Sequence, residues 1–235
     1  MTFTSNRELK RQLGSRDRAI IEDAMRMRLT NNFIVRKRHM EKLTDNAVSK
    51  ITARLASNRW LNSHQLGGRR VYFTPGPRTV LAYDLSPKAI RPLGSQAFPT
   101  CLAIASYFAE LGGGFQVAYA SEIQNAFHWM SEDLANNTHF IQSVADALEL
   151  KLIRVDLGGS VKHIVSKCEA DLEKRNGIQE FRDLMSARRF VLLLLTTTQQ
   201  KASFLRGELA AKRWPNGLRF QIAVVPELLT AIGVE

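Results

Sequence analysis

One predicted helix carries a face of small, polar and cationic side chains. The helix follows Thr44, a good N-cap residue, and Asp45 favours the positive end of the helix dipole. The polar members of the face are Asn46, Ser49, Lys50 and Arg54. Amide and guanidinium groups hydrogen-bond to base edges, and cations contact phosphates. These residue types at helical spacing therefore predict a helix that enters the major groove of DNA.

A glycine hairpin with arginines follows this helix. Residues 61–74 predict a hairpin, in which Gly67 and Gly68 supply the positive φ angles of a two-residue turn. Arg69 and Arg70 stand at the tip of that turn or just beyond it. We expect these two arginines to lie in the minor groove or along the phosphate backbone of bound DNA.

Further cations precede the helix. Arg36, Lys37 and Arg38 occupy a short predicted segment over 33–43. Nearer the start of the chain, Lys10, Arg11 and Arg16 add to the basic character. All six are predicted to contact phosphates. His39 and His64 have no carboxylate or cysteine at ligand spacing, so neither is predicted to bind a metal.

The elements that must position these residues follow from apolar periodicity. Residues 16–29 form a predicted helix, with Asp17 and Asp23 expected outside its apolar stripe. A short helical segment, the polar-faced helix and the hairpin come next. This order of elements is typical of a winged helix-turn-helix domain.

The charge is concentrated in the same region. Residues 1–90 contain 18 Lys and Arg against 7 Asp and Glu, a net charge of +11, whereas residues 91–235 contain 15 of each. Such an asymmetry indicates two modules, one of which faces a polyanion. A membrane surface or a ribosome also attracts a basic chain, but the local pattern favours duplex DNA.

Two segments carry a family resemblance. The first is Leu-Ala-Ser-Asn-Arg-Trp-Leu at 55–61, and the second is Arg-Arg-Val-Tyr-Phe-Thr-Pro-Gly at 69–76. From about residue 16 to residue 85 the chain resembles bacterial winged-helix regulators, and these segments are similar to the replication-relaxation family of plasmids and integrative mobile elements. Asn58 and Arg59 stand where that family usually has glycine. The resemblance implies a sequence-specific DNA-binding protein acting in transcriptional regulation, or in plasmid or mobile-element replication or maintenance.

The neutral part of the chain alternates between strand and helix patterns. Predicted strands cover 115–119, 151–156, 190–195 and 218–225. Predicted helices lie between them, including one over 121–134 and one with Phe204 facing inward. This alternation indicates a small α/β sheet. The predicted organisation is a winged-helix domain over 1–85, a proline-containing linker over 86–99, and an α/β domain over 100–235 for dimerisation or partner docking.

The resemblance extends weakly to this second domain. Replication-relaxation proteins carry a restriction-endonuclease-like fold there, and the resemblance implies that Asp146 and Asp156 occupy its two acidic positions. Arg154 replaces a strand carboxylate that would help to hold a divalent metal. Glu149 and Lys151 have a carboxylate-x-lysine spacing, but they lie too close to Asp146. We therefore expect a degenerate fold and no enzyme, with a metal-dependent nuclease as the alternative.

No other pattern indicates catalysis. The three glycines at 112–114 lack the lysine of a phosphate loop, and the sequence contains no nucleophile elbow or zinc-protease motif. Cys101 and Cys168 are predicted to be buried thiols of a cytoplasmic protein. The sequence predicts no cofactor and no membrane association, a double-stranded DNA partner, a homodimer and a protein partner for the second domain. An RNA- or protein-binding accessory factor is the remaining alternative.

Overall fold

The chain is divided into two units, Met1–Gln116 and Val117–Glu235. The computed structural model describes residues 10, 13–66, 70–112, 115–136, 138–144 and 146–232. Both units combine helices with a small sheet, which confirms the mixed α and β class. The division at 116 differs from the predicted linker at 86–99. That segment instead carries a 3-10 turn, Pro87–Ile90, and the start of a long helix that belongs to the first unit.

The first unit begins with three helices and a hairpin. The elements are α1 (Ser15–Met27), α2 (Asn32–His39), α3 (Asp45–Ser57), β1 (Leu61–Gln65), β2 (Val71–Pro75), α4 (Pro77–Tyr83) and α5 (Ala97–Leu111). The predicted helices and hairpin of this region are therefore confirmed. Thr44 caps α3 as predicted, since its hydroxyl accepts a hydrogen bond from the Ala47 amide at 3.3 Å.

The core of the first unit lies between the three helices and the hairpin. Ile20 and Ile21 of α1 and Val48 and Leu55 of α3 are almost completely buried, and Trp60 joins them at the end of α3. The hairpin strands pair antiparallel, from Leu61 opposite Pro75 to Gln65 opposite Val71. This packing holds α3 with its polar face, opposite Val48 and Leu55, turned away from the core.

The second unit contains a four-stranded sheet in the order β3-β4-β5-β6. Its elements are α6 (Ala120–Ala126), α7 (Glu132–Ala135), β3 (His139–Val144), β4 (Ala147–Val155), α8 (Val161–Asn176), α9 (Gln179–Ser186), β5 (Phe190–Thr196), α10 (Gln199–Ala210), β6 (Arg219–Val224) and α11 (Glu227–Ala231). Strand β3 runs antiparallel to β4, and β4, β5 and β6 run parallel. Every residue of β5 is buried, as its continuous apolar run predicts.

Three local predictions for the second half of the chain are wrong. Phe204 faces outward on α10 and is 58 % exposed, because Ala202, Leu205 and Leu209 alone form the inward stripe. The predicted strand over 115–119 is only a single bridge from Ala118. The predicted helix over 121–134 is interrupted between α6 and α7. Within the described residues, no helix has both the length and the apolar character needed to cross a bilayer.

Gly76 is required where the chain leaves the hairpin. A Cβ atom at this position would overlap the backbone carbonyl of Arg59 and lie 2.7 Å from the carbonyl carbon of Trp60. The Gly76 amide also donates to the Trp60 carbonyl at 2.8 Å. The backbone of Gly76, just after β2, is therefore in direct contact with the backbone of Arg59 and Trp60, just after α3.

We expect Gly76→Ala to lower the free energy of unfolding by about 1–3 kcal/mol, because the backbone must shift to admit a methyl group. Gly94→Ala is the matched control, since a Cβ there meets nothing within 4 Å. Urea titration of both variants measures the difference. Equal stability of the two variants would contradict the close approach.

Candidate nucleic-acid interface

The polar face of α3 is open. Asn46, Lys50 and Arg54 are exposed and succeed one another at intervals of four residues, so they form a row about 6 Å apart along the helix. The side chains of Asn46 and Lys50 form no hydrogen bond or ion pair with any residue that the structure describes. Ala53 is also exposed and leaves room for a close approach. The row has the donors and the cations that a nucleic-acid contact requires.

Ser49 has a different position from the rest of the predicted face. It is half-buried, and its hydroxyl accepts a hydrogen bond from Asn32 Nδ2 at 2.8 Å. Thr52 Oγ1 donates to Asn32 Oδ1 at 2.7 Å. These bonds join α2 to α3, so Ser49 anchors the helix that carries the row and is not part of its open face.

Arg38 is not a surface cation, contrary to the sequence prediction. Its side chain is 5 % exposed, and Nε donates to Asp23 at 2.5 Å. Its Nη1 donates to the carbonyls of Phe108, at 3.1 Å, and Phe115, at 3.0 Å, beside the end of α5. A guanidinium group with these buried partners is unable to reach a phosphate.

Arg36 and Lys37 remain near the surface in ion pairs. Arg36 lies 2.6 Å from Asp45, whose carboxylate is 84 % exposed, and Lys37 lies 3.2 Å from Glu110. Exposed pairs of this kind contribute little free energy. These two cations are therefore only weakly held by their carboxylate partners.

Arg54 is partnered as well as exposed. Its Nη2 lies 2.7 Å from Asp17 Oδ2, while 48 % of the side chain remains accessible. Asp17 and Asp23 were both expected outside the apolar stripe of α1, yet both are buried. Each of them is the carboxylate partner of an arginine on another helix.

The hairpin places Arg70 beside its turn. Arg70 is exposed immediately before β2, and its carbonyl accepts a hydrogen bond from the Leu66 amide at 2.8 Å. Arg69, like Gly67 and Gly68, lies outside the described residues. Arg70 is thus the predicted hairpin contact whose position the structure gives.

The three predicted phosphate contacts near the start of the chain differ in their surroundings. Lys10 lies over the Tyr83 ring at 4.3 Å, and Arg16 is exposed, with its Nε 3.6 Å from Asp17. Arg11 lies outside the described residues. Of this group, Arg16 is the side chain that the structure leaves at the surface.

The two acidic residues of the nuclease alternative do not converge. Asp146 lies exposed in the turn before β4, with φ of 62°, and Asp156 lies buried just after the same strand. The nine residues of β4 separate them by about 30 Å. One metal ion is therefore unable to bind both carboxylates, and the implied acidic pair is wrong.

Asp156 is saturated by donors from the protein itself. Its carboxylate accepts hydrogen bonds from the Gly158 amide and the Thr196 hydroxyl, both at 2.9 Å, and lies 2.7 Å from Lys201 Nζ. Among the residues that the structure describes, no group of three or more His, Cys, Asp or Glu side chains could hold a metal. Asp156 therefore has a structural role at the end of β4.

The carboxylate-x-lysine spacing on β4 also forms a structural contact. Glu149 and Lys151 are both buried and lie 3.2 Å apart. Arg219 of β6 donates to Glu149, and Lys151 donates to Gln221 at 3.0 Å. The lysine ammonium is thus held by Glu149 on its own strand and by Gln221 on β6.

The two cysteines are buried free thiols, as predicted. Burial, with a smaller contribution from the charge of Asp171, raises the pKa of Cys168 to about 12. Burial also raises the pKa of Cys101. Both side chains therefore stay protonated at neutral pH and are poor nucleophiles.

No protein-family model matches this sequence, and neither a curated protein nor a solved structure shows significant similarity to it.

Asp23→Asn should destabilise the first unit by about 3–5 kcal/mol at neutral pH, because it leaves the Arg38 guanidinium buried without its counter-charge. Burial alone raises the pKa of Asp23, but hydrogen bonds from His39 and Arg38 outweigh it, and the pKa lies below its usual value. The stabilisation by Asp23 is therefore complete above about pH 4 and is lost as the pH falls through the lowered pKa.

Urea unfolding of the wild type and Asp23→Asn across pH 2–7 measures this dependence. The difference in stability between them should shrink on acidification. Glu22→Gln removes an exposed carboxylate from the same helix and is the control. A difference that stayed constant below pH 4 would rule out the charged pair as its source.

Asp156→Asn should also lower the free energy of unfolding by about 3–5 kcal/mol, because the Lys201 ammonium loses its buried counter-ion. Asp146→Asn should change it by less than about 0.5 kcal/mol, because the side chain is exposed and asparagine tolerates a positive φ. Thermal unfolding compares the two variants. Similar unfolding midpoints for both would refute the structural role of Asp156.

Proposed function

We propose that this chain binds double-stranded DNA, with α3 in the major groove and the β1–β2 hairpin on the adjoining backbone, as in a winged helix. The observation that carries the proposal is the exposed row Asn46, Lys50 and Arg54 on the outer face of α3. A row of one amide and two cations suits a surface that contacts both base edges and phosphates.

The dimensions of α3 support this assignment. Its 13 residues extend for about 20 Å, which is sufficient to follow the groove for part of a turn. Its only carboxylate, Asp45, lies at the N-terminal end, where Arg36 balances it. The rest of the outer face therefore presents no negative charge to a phosphate.

The distribution of charge adds a sequence-independent attraction. The net charge of +11 over residues 1–90 lies in the same unit as α3 and the hairpin. Each cation that meets a phosphate releases condensed counter-ions, so affinity falls as salt rises. The same region supplies Arg70 beside the hairpin turn, where it would contact the backbone.

The cellular process and the assembly state are parts of the same proposal. The resemblance to replication-relaxation proteins favours transcriptional regulation, or the replication or maintenance of a plasmid or mobile element. Pairing of two copies through the second unit would let a homodimer bind two half-sites and so increase discrimination. Sedimentation of the full chain with and without a duplex tests this assembly.

Lys50→Ala and Arg70→Ala should each weaken binding to a labelled mixed-sequence duplex and reduce the slope of log affinity against log salt by about 0.9, because each removes one phosphate contact. Fluorescence anisotropy across a salt series measures both quantities. Lys167→Ala removes an exposed cation of α8 in the second unit and is the matched control, which should keep the wild-type slope.

Absence of duplex binding by the wild-type chain would overturn the proposal. Preference for a structured RNA, with duplex DNA as a poor competitor, would move the assignment to the RNA-binding alternative. Equal slopes for Lys50→Ala, Arg70→Ala and Lys167→Ala would remove α3 and the hairpin from the interface.

A further inference from the structure

We propose that Asp17 is a positioning residue for the DNA interface, because it holds the Arg54 guanidinium as a fixed donor group for an acceptor on duplex DNA. This inference rests on the proposed function and adds to it a residue that does not itself touch DNA. The acceptor is either the guanine O6 and N7 pair or a phosphate, since both suit two parallel guanidinium donors.

The contact joins two helices at the edge of the open face. Asp17 belongs to the first turn of α1, and Arg54 belongs to the last turn of α3. Oδ2 of Asp17 accepts a hydrogen bond from Nη2 of Arg54 at 2.7 Å. The carboxylate side chain is 11 % exposed, whereas the arginine side chain is 48 % exposed. The buried Asp17 carboxylate therefore holds the exposed Arg54 guanidinium group in place.

The pairing leaves donors available. It uses Nη2, and neither Nε nor Nη1 of Arg54 forms a hydrogen bond with any described residue. A guanidinium group has five N–H donors in a rigid plane, so fixing one corner also orients the others. The free donors lie on the side chain that continues the row of Asn46 and Lys50.

The energetic cost of this carboxylate needs an explanation. Oδ1 of Asp17 is buried without a hydrogen-bond partner among the described residues, and Arg16 Nε lies 3.6 Å from it. A buried carboxylate is expensive, and a negative charge beside the proposed interface repels phosphates. If charge alone mattered, a neutral residue at position 17 would serve DNA binding better.

Orientation supplies a benefit that outweighs this repulsion. A free arginine loses rotamer entropy when it binds, and immobilising such a side chain lowers affinity by about two- to tenfold. A preformed Asp17–Arg54 pair has already lost that freedom before DNA arrives. Electrostatics and orientation therefore predict opposite signs for the effect of neutralising Asp17.

The test compares Asp17→Asn and Asp17→Ala with Glu22→Gln by anisotropy against a mixed-sequence duplex. All three variants remove one negative charge from α1, and Glu22 is exposed and forms no hydrogen bond or ion pair with Arg54. We expect the two Asp17 variants to bind about two- to tenfold more weakly than the wild type. We expect Glu22→Gln to bind as tightly as the wild type or slightly tighter. Thermal unfolding confirms that each variant is folded at the assay temperature.

A second comparison assigns the effect to Arg54. In an Arg54→Ala background, Asp17→Asn should no longer weaken binding, since the group that it orients is absent. An equal loss in both backgrounds would mean that Asp17 acts through the fold, which would overturn the inference. Tighter binding by both Asp17 variants in the wild-type background would overturn it as well.

A guanine-free duplex of A·T pairs distinguishes the two acceptors. If Arg54 contacts a phosphate, Asp17→Asn weakens binding to the mixed and A·T duplexes equally. If Arg54 contacts guanine, the loss is confined to the mixed duplex. Either pattern supports the positioning role. Failure of the wild-type chain to bind any duplex would instead overturn the proposed function, so the two failures are distinguishable.

Discussion

The carboxylate of Asp23 joins three helices of the first unit at one point. Asp23 lies on α1, and both Arg38 and His39 of α2 donate to it, with His39 Nε2 at 2.6 Å. Nη1 of Arg38 donates to the carbonyls of Phe108 and Phe115 beside the end of α5. Removing either charge would leave the other buried, so the arrangement of α1, α2 and α5 depends on this pair.

A second layer of polar contacts fixes α3 on this frame. Asn32 at the start of α2 binds both Ser49 and Thr52 of α3, while Asp17 binds Arg54. Ser49 and Thr52 contact α2 through Asn32, and the Asp17 contact leaves 48 % of the Arg54 side chain accessible. The helix is therefore held by polar side chains and still has polar side chains exposed on its outer face.

The sequence predicts the elements of the first unit well because apolar spacing and turn residues are local signals. The stripe of Val48 and Leu55, the Thr44 cap and the glycine hairpin were all identified from residues close together in the chain. Long-range pairing was not predicted. Asp23 is 15 positions from Arg38, so the local pattern predicts a solvated carboxylate on one helix and a solvated arginine in a cationic run. Phe204 was misplaced for the converse reason, since an apolar side chain in an amphipathic helix was expected to face inward.

The Asp156–Lys201 contact has a consequence for the second unit. It lies at the carboxyl ends of parallel strands β4 and β5, where the crevice of an α/β sheet ordinarily receives a ligand. In this chain an anion and a cation of the protein itself occupy that position, and Thr196 and Gly158 complete the coordination of the anion. A ligand that bound at this edge would have to displace the Lys201 ammonium from the Asp156 carboxylate. Because both groups belong to the same chain, the ammonium is always present at a high effective concentration.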